Sequence, residues 1–105
     1  MSKIVVIGAG AMGTAFCLPC LDNKHEVKIV GTHLENNFIQ NLKKNKNFHP
    51  SLNINIPDNI NIFTFEKFDE VLSSNIDLIV LGISSKGIDW VSEQLSRLFK
   101  KKKNS

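Results

Sequence analysis

Gly8-Ala9-Gly10-Ala11-Met12-Gly13 follows the apolar run Ile4-Val5-Val6-Ile7 without a gap and opens a helix-compatible stretch. Each glycine at this spacing has its own task. Gly8 permits a tight reversal after a buried strand, Gly10 leaves no side chain between backbone and a pyrophosphate, and Gly13 lets the helix pack close to the sheet. The free N–H groups of the first helical turn, at the positive end of the helix dipole, then face a dianionic ligand, an attraction of roughly 0.3–1 kcal/mol or more where water is excluded. The chemistry this predicts is capture of a dinucleotide.

About 20 residues after such a turn, the second strand normally ends in Asp or Glu to hold the adenosine ribose 2′-hydroxyl. Here the chain reads Gly31-Thr32-His33. Thr32 retains a hydroxyl for the ribose, and His33 falls where a 2′-phosphate would lie. Loss of the carboxylate removes the usual repulsion of NADP without supplying an arginine to attract it, so the choice between NAD and NADP stays open. Glu35 is within reach of the ribose by turning back, but the preferred reading is a solvated helix-start glutamate favourable to the dipole. Lys86 reads as a solvated first-turn lysine and His49-Pro50 as a structural turn.

Cys17 and Cys20 make a Cys-x-x-Cys around Leu18-Pro19, but they fall inside the helix after the glycine turn. The chain has no second cysteine pair, and the histidines at 25, 33 and 49 lack ligand spacing. They are read as helix cysteines, with no metal site. Pro19 removes a helical hydrogen bond at a cost of ~3 kcal/mol, which predicts a kink or an early loosening. No pair of groups suited to general acid–base chemistry stands at one site, so no catalytic residue is expected.

The elements that must position these residues alternate: a strand at 3–7, a helix from Ala11 to about Asp22, and a strand at 26–30 ending at Gly31. Residues 34–44 carry Leu34, Phe38, Ile39 and Leu42 on one helical face. The Asn- and Pro-rich stretch 45–61 predicts an ordered loop with a short strand at 53–56. A strand at 62–65, a helix at 66–72 and an apolar, fully buried parallel strand at 77–82 follow. Ser84 or Ser85 caps a last helix from about Lys86 to Leu98, with Ile88, Val91, Leu95, Leu98 and Phe99 on one side and Trp90 near its edge. With right-handed crossovers, the result is an α/β, Rossmann-type, doubly wound parallel sheet, truncated, with strand order 3-2-1-4. Its crevice lies beyond the carboxyl ends of strands one and four, where the glycine turn and Ser84-Ser85 face each other. The open edge of strand four is a route to dimerisation.

Bulk properties set the boundaries. A chain of 105 residues is one domain's worth, able to bury roughly 60–68% of its unfolded surface. Residues 1–99 form the dinucleotide-binding domain, and 100–105 read as a disordered basic tail. The net charge of +3 comes from that tail: Lys100, Lys101, Lys102 and Lys103 supply four of the 13 basic residues, while all 10 acids lie upstream. No basic face for nucleic acid is expected. No apolar run approaches the ~20 residues that cross a bilayer, and the start passes straight into the first strand, which predicts a cytoplasmic protein without a signal peptide.

Four stretches together resemble the amino-terminal half of NAD(P)-dependent glycerol-3-phosphate dehydrogenases: residues 4–15, the His25-Glu26-Val27 lead to Gly31-Thr32, the segment 47–60 with His49-Pro50 and Ile56-Pro57-Asp58, and Leu81-Gly82-Ile83-Ser84-Ser85-Lys86-Gly87. The glycine motif alone is shared with ketopantoate reductases and hydroxyisobutyrate dehydrogenases; the loop makes the likeness more specific. The resemblance implies hydride transfer between glycerol 3-phosphate and dihydroxyacetone phosphate with NAD or NADP, feeding phospholipid synthesis. By position it puts Gly8, Gly10, Ala11, Met12 and Gly13 along the pyrophosphate, Thr32 at the adenosine ribose and Ser84 beside the nucleotide. The family's substrate-binding lysines lie in a helical second domain that has no counterpart here. The chain is therefore expected to be inactive alone, joined by a separate carboxyl-terminal half or a second copy. The rival readings are a free-standing nucleotide-binding or redox-sensing module and a ketopantoate-reductase-like domain.

Overall fold

The computed structural model describes residues 2–22, 24–83 and 85–103, without the side chains of 21, 22, 85, 86 and 101–103. Four parallel strands form the main sheet: β1 (Lys3–Ile7), β2 (Glu26–Val30), β5 (Asn61–Phe63) and β6 (Leu78–Leu81), in the order β5-β2-β1-β6. Two further strands, β3 (Phe48–His49) and β4 (Ile54–Asn55), pair antiparallel outside it. With this small pair set aside, the order is the expected 3-2-1-4.

Alternation along the central strands decides which helix goes where. Ile4 and Val6 of β1 and Val27 and Ile29 of β2 face one core, with Cys17 of α1 (Ala11–Asp22) and Ile39 and Leu42 of α2 (Asn36–Lys44). Val5, Ile7 and Val30 face the opposite core, with Phe68, Val71 and Leu72 of α3 (Phe68–Leu72) and Val91 and Leu98 of α4 (Ser85–Lys103). A period of two on each strand thus produces two apolar layers, as burial on both faces of a parallel sheet requires.

The sheet's register levels its carboxyl ends. Ile7 pairs with both Val30 and Leu81, and the next residue on each strand is glycine: Gly8, Gly31 and Gly82. Gly8 N–H donates to the Val30 carbonyl at 2.8 Å and Gly82 N–H to the Ile7 carbonyl at 2.8 Å, so the pairing continues one residue beyond the strands.

Several boundaries differ from the sequence expectation. Helix α1 carries Pro19 in its interior and runs on to Asp22. Helix α2 begins at Asn36, which leaves Leu34 82% exposed in the preceding turn instead of on the apolar face. The strand expected at 62–65 is Asn61–Phe63, and a 3₁₀ turn at Phe65–Lys67 precedes the shorter α3. The loop at 45–61 holds the β3–β4 pair, where only one strand at 53–56 was expected.

Strand β6 corrects the expectation of full burial. Leu78 and Leu81 are 46% and 43% exposed because, among the described residues, β6 has one sheet neighbour, β1. Helix α4 corrects two more. It begins at Ser85 and continues past Leu98 to Lys103, taking in the lysines read as a tail. No glycine or proline stops it there, and cations suit a helix carboxyl end. Arg97 on α4 grips Asp69 on α3 through both guanidinium nitrogens, at 2.8 and 3.3 Å.

Candidate functional site

The glycine turn sits where the winding of the sheet changes direction, between β1, β2 and β6. Gly8 has φ +109°, which L side chains rarely adopt, and a Cβ there would lie 2.5 Å from the Gly82 carbonyl oxygen. Gly13 lies against the opposite backbone, where a Cβ would come within 3.0 Å of Gly82 Cα and 3.1 Å of Val6 Cγ1. Gly10 is different. A Cβ there would meet Gly82 O at 3.7 Å, an ordinary contact, so a side chain could begin there without displacing backbone.

The first helical bond of α1 runs from Thr14 N–H to the Gly10 carbonyl at 3.0 Å. The N–H groups of Ala11, Met12 and Gly13 precede it and find no acceptor among the described residues, which is the normal condition of a helix start that awaits an anion. Met12 is 87% exposed at this helix start and borders the smaller of the two recesses described next.

Two recesses meet over this turn. One, about 460 Å³, runs from Gly10 past Thr32, His33 and Glu35 to Trp90. The other, about 300 Å³, is lined by Gly10, Ala11, Met12, Leu81, Gly82 and Ile83. Gly10, Gly82 and Ile83 belong to both. Aromatic rings wall the first: His33 lies 4.5 Å from Trp90, centroid to centroid, and Phe65 backs Trp90 from outside the recess at 5.3 Å.

Ala9 is held from both sides by distant residues. Its N–H donates to both carboxylate oxygens of Glu35, at 3.2 and 3.1 Å. Its carbonyl accepts from Thr14 Oγ1 at 3.3 Å and lies 2.9 Å from His49 Nε2. A carbonyl only accepts, so Nε2 carries the hydrogen in this contact. His49 is 1% exposed, stands edge-on to Phe38 at 5.4 Å, and leaves Nδ1 buried without a partner among the described residues.

Glu35 overturns its expected role as a solvated helix-start residue. Besides Ala9, its carboxylate accepts the Thr32 N–H at 2.9 Å, while Glu35 N–H donates to the Thr32 carbonyl at 3.0 Å. Thr32-x-x-Glu35 is the reciprocal half of a capping box, and that spacing was the signal available in the sequence. His49's contact with Ala9 spans 40 residues and had no such signal.

The structure places Gly10, Ala11, Met12 and Thr32 along the two recesses that share Gly10, while Gly8 and Gly13 pack against the Gly82 backbone and line neither. Ser84 lies outside the described residues. Among the described residues no cluster of His, Cys, Asp and Glu is arranged to hold a metal. Cys17 is buried with Sγ 3.3 Å from the Gly13 carbonyl, and burial, with Cys20 adding to it, pushes its thiol up to about 12. No helix among the described residues is long and apolar enough to cross a membrane.

A buried strand, a glycine turn and a bare helix start at the point where the sheet's winding reverses define a Rossmann-type nucleotide-binding domain. Comparison with known proteins is specific. Residues 3–105 match the family model described as the NAD-dependent glycerol-3-phosphate dehydrogenase N-terminus, and the chain belongs to that family. It is 32% identical over 85 residues to the NADP(+)-dependent glycerol-3-phosphate dehydrogenase of Archaeoglobus fulgidus, covering 81% of this chain and 24% of that one. It is 34% identical over 89 residues to the glycerol-3-phosphate dehydrogenase [NAD(P)+] of Shouchella clausii (84% and 25%), and 29% over 97 residues to that of Oceanobacillus iheyensis (92% and 27%). The chain spans about a quarter of the length of these relatives.

Proposed function

We propose that this domain holds NAD(H) or NADP(H) for a glycerol-3-phosphate dehydrogenase. The observation that supports it most is the pair of recesses meeting at Gly10, beside a helix start whose Ala11, Met12 and Gly13 amides find no acceptor among the described residues. Gly8, Gly10, Ala11, Met12 and Gly13 would hold the pyrophosphate, and Thr32 the adenosine ribose; Ser84 joins them on sequence grounds. Gly10 supports this reading because it borders both recesses and carries no side chain there.

When bound, the nicotinamide exchanges a hydride with the substrate carbon of glycerol 3-phosphate or dihydroxyacetone phosphate. What these residues do is narrower. Backbone amides fix the charged middle of the cofactor, while Trp90, His33 and Ile83 wall the space beside it from water. Among the described residues the cleft offers no acid–base pair placed to protonate a carbonyl, and the chain alone is expected to perform no turnover. A separate carboxyl-terminal half, or a second copy, would meet it along the open edge of β6. The reading places the protein in the cytoplasm.

The test is a titration of the intact chain with NADH, followed through Trp90, its single tryptophan, together with an assay of dihydroxyacetone phosphate reduction. Saturable quenching without turnover is expected. Absence of binding overturns the cofactor reading, and substantial turnover overturns the division of labour. Absence of any coding sequence for the second half beyond or beside this one would favour the sensor alternative.

A further inference from the structure

Ala9 stands between two glycines, Gly8 and Gly10, the residue type least able to hold a backbone conformation by itself. The peptide planes on either side of it are nevertheless both fixed, each by a side chain from a distant element. The Gly8–Ala9 plane carries the Ala9 N–H, which donates to the Glu35 carboxylate at 3.1 and 3.2 Å. The Ala9–Gly10 plane carries the Ala9 carbonyl, which accepts from His49 Nε2 at 2.9 Å and from Thr14 Oγ1 at 3.3 Å. We propose that His49 is a positioning residue for the cofactor's pyrophosphate, presetting the glycine turn through Ala9, with Glu35 as the opposing half of the same clamp. The inference rests on the dinucleotide reading of the cleft.

Three observations carry it. First, the clamp leaves Ala9 no freedom. A peptide unit is planar, so holding the units on both sides sets the two dihedral angles of Ala9 between them, and with these the direction in which Gly10 and the amides of Ala11, Met12 and Gly13 leave the turn. The anchors are themselves fixed. The Glu35 carboxylate also accepts the Thr32 N–H at 2.9 Å, and the Glu35 carbonyl accepts the Ile39 N–H at 2.9 Å. His49 sits in β3, paired with Ile54 of β4.

Second, the His49 ring directs its hydrogen bonding at Ala9. It is 1% exposed and edge-on to Phe38, and its Nδ1 is buried without a partner among the described residues. Such an atom is a cost to stability that an apolar ring in the same space avoids. What histidine adds there is the Nε2–H bond to the turn.

Third, His49 borders neither recess, so its influence on a ligand passes through the Ala9 carbonyl. A turn already shaped for its ligand loses less freedom on binding, which raises affinity without a new contact.

The test is titration of the intact chain with NADH and with adenosine, which has no pyrophosphate, followed through Trp90 emission. The wild type, His49→Phe, Glu35→Gln and the double variant are compared, with thermal unfolding of each. His49→Phe keeps a ring against Phe38 and removes both nitrogens. It is expected to melt within about 5 °C of the wild type. Its NADH binding should be at least about tenfold weaker, and its adenosine binding within about twofold of the wild type. Glu35→Gln should also weaken NADH binding, and the double variant should lose at least about threefold less than the product of the two single losses, because freeing either plane already frees the turn. His49→Leu, which also lacks a donor, carries the same expectation as His49→Phe. A folded His49 variant that binds NADH as the wild type does, equal weakening of NADH and adenosine, or single losses that multiply in full overturns the clamp and leaves the dinucleotide reading standing. Failure of both His49 variants to fold makes the residue a structural one and overturns the clamp as well. Failure of the wild type to bind NADH overturns the dinucleotide reading, and this inference with it.

Discussion

Gly13 and Gly82 meet backbone to backbone: a Cβ on Gly82 would lie 2.7 Å from Gly13 Cα, and one on Gly13 would lie 3.0 Å from Gly82 Cα. This contact sets how closely α1 approaches the exit of β6, and hence how the two recesses join at Gly10. Helix and strand backbones have no flexible side-chain end that can move aside. Gly82→Ala and Gly13→Ala should each cost about 1–3 kcal/mol, as overpacking does. Urea denaturation measures it, and unchanged midpoints in both variants would show that the contact is looser than described.

His49 ties the β3–β4 pair to the glycine turn through the Ala9 carbonyl. His49→Ala removes a buried ring and leaves that carbonyl with only the longer Thr14 bond. The expected loss is about 2–4 kcal/mol, from cavity and lost hydrogen bond together. Weaker dinucleotide binding should accompany it. A variant as stable as the wild type would contradict the strut.

The sequence carried the strand order, because alternation in β1 and β2 and the Gly8-to-Gly13 spacing are local patterns. It also located the cleft. What it did not carry was set at a distance. Glu35 looks like any exposed helix-start acid until the Thr32 turn folds its carboxylate onto Ala9. His49 finds its partner 40 residues away. Strand β6 is apolar throughout, which reads as burial on both faces, yet its exposure depends on a neighbour that no local pattern specifies. The end of α4 was misplaced because a lysine run reads equally as a solvated helix end or a tail.

Cys17 lies beneath α1 and Cys20 is half-buried. At pH 8 a thiol reagent should modify Cys20 first and Cys17 only on unfolding, since the reactive form is the thiolate. Because the folded state holds the Cys17 proton up to about 12, against an ordinary value of 9.0, its contribution to stability is complete below pH 9 and is lost as pH rises toward 12. Cys17→Ala should flatten that alkaline decline. Rapid labelling of both thiols in the folded protein would contradict the burial.

The open edge of β6 presents Leu78 and Leu81, about half exposed. Such an edge pairs with another strand unless charge opposes it. Light scattering of the isolated chain should show concentration-dependent association, and Leu78→Lys with Leu81→Lys should shift it to monomer. Association unaffected by both lysines would locate the contact elsewhere.

The account turns on Gly10, where a side chain has room in the fold but would occupy the space proposed for pyrophosphate. Calorimetric titration of NADH into Gly10→Val, with thermal unfolding of the same sample, tests it most directly. The expected result is a melting temperature close to that of the wild type with binding weakened by at least about a hundredfold, roughly 2.7 kcal/mol. A well-folded Gly10→Val protein that binds NADH as the wild type does would contradict it.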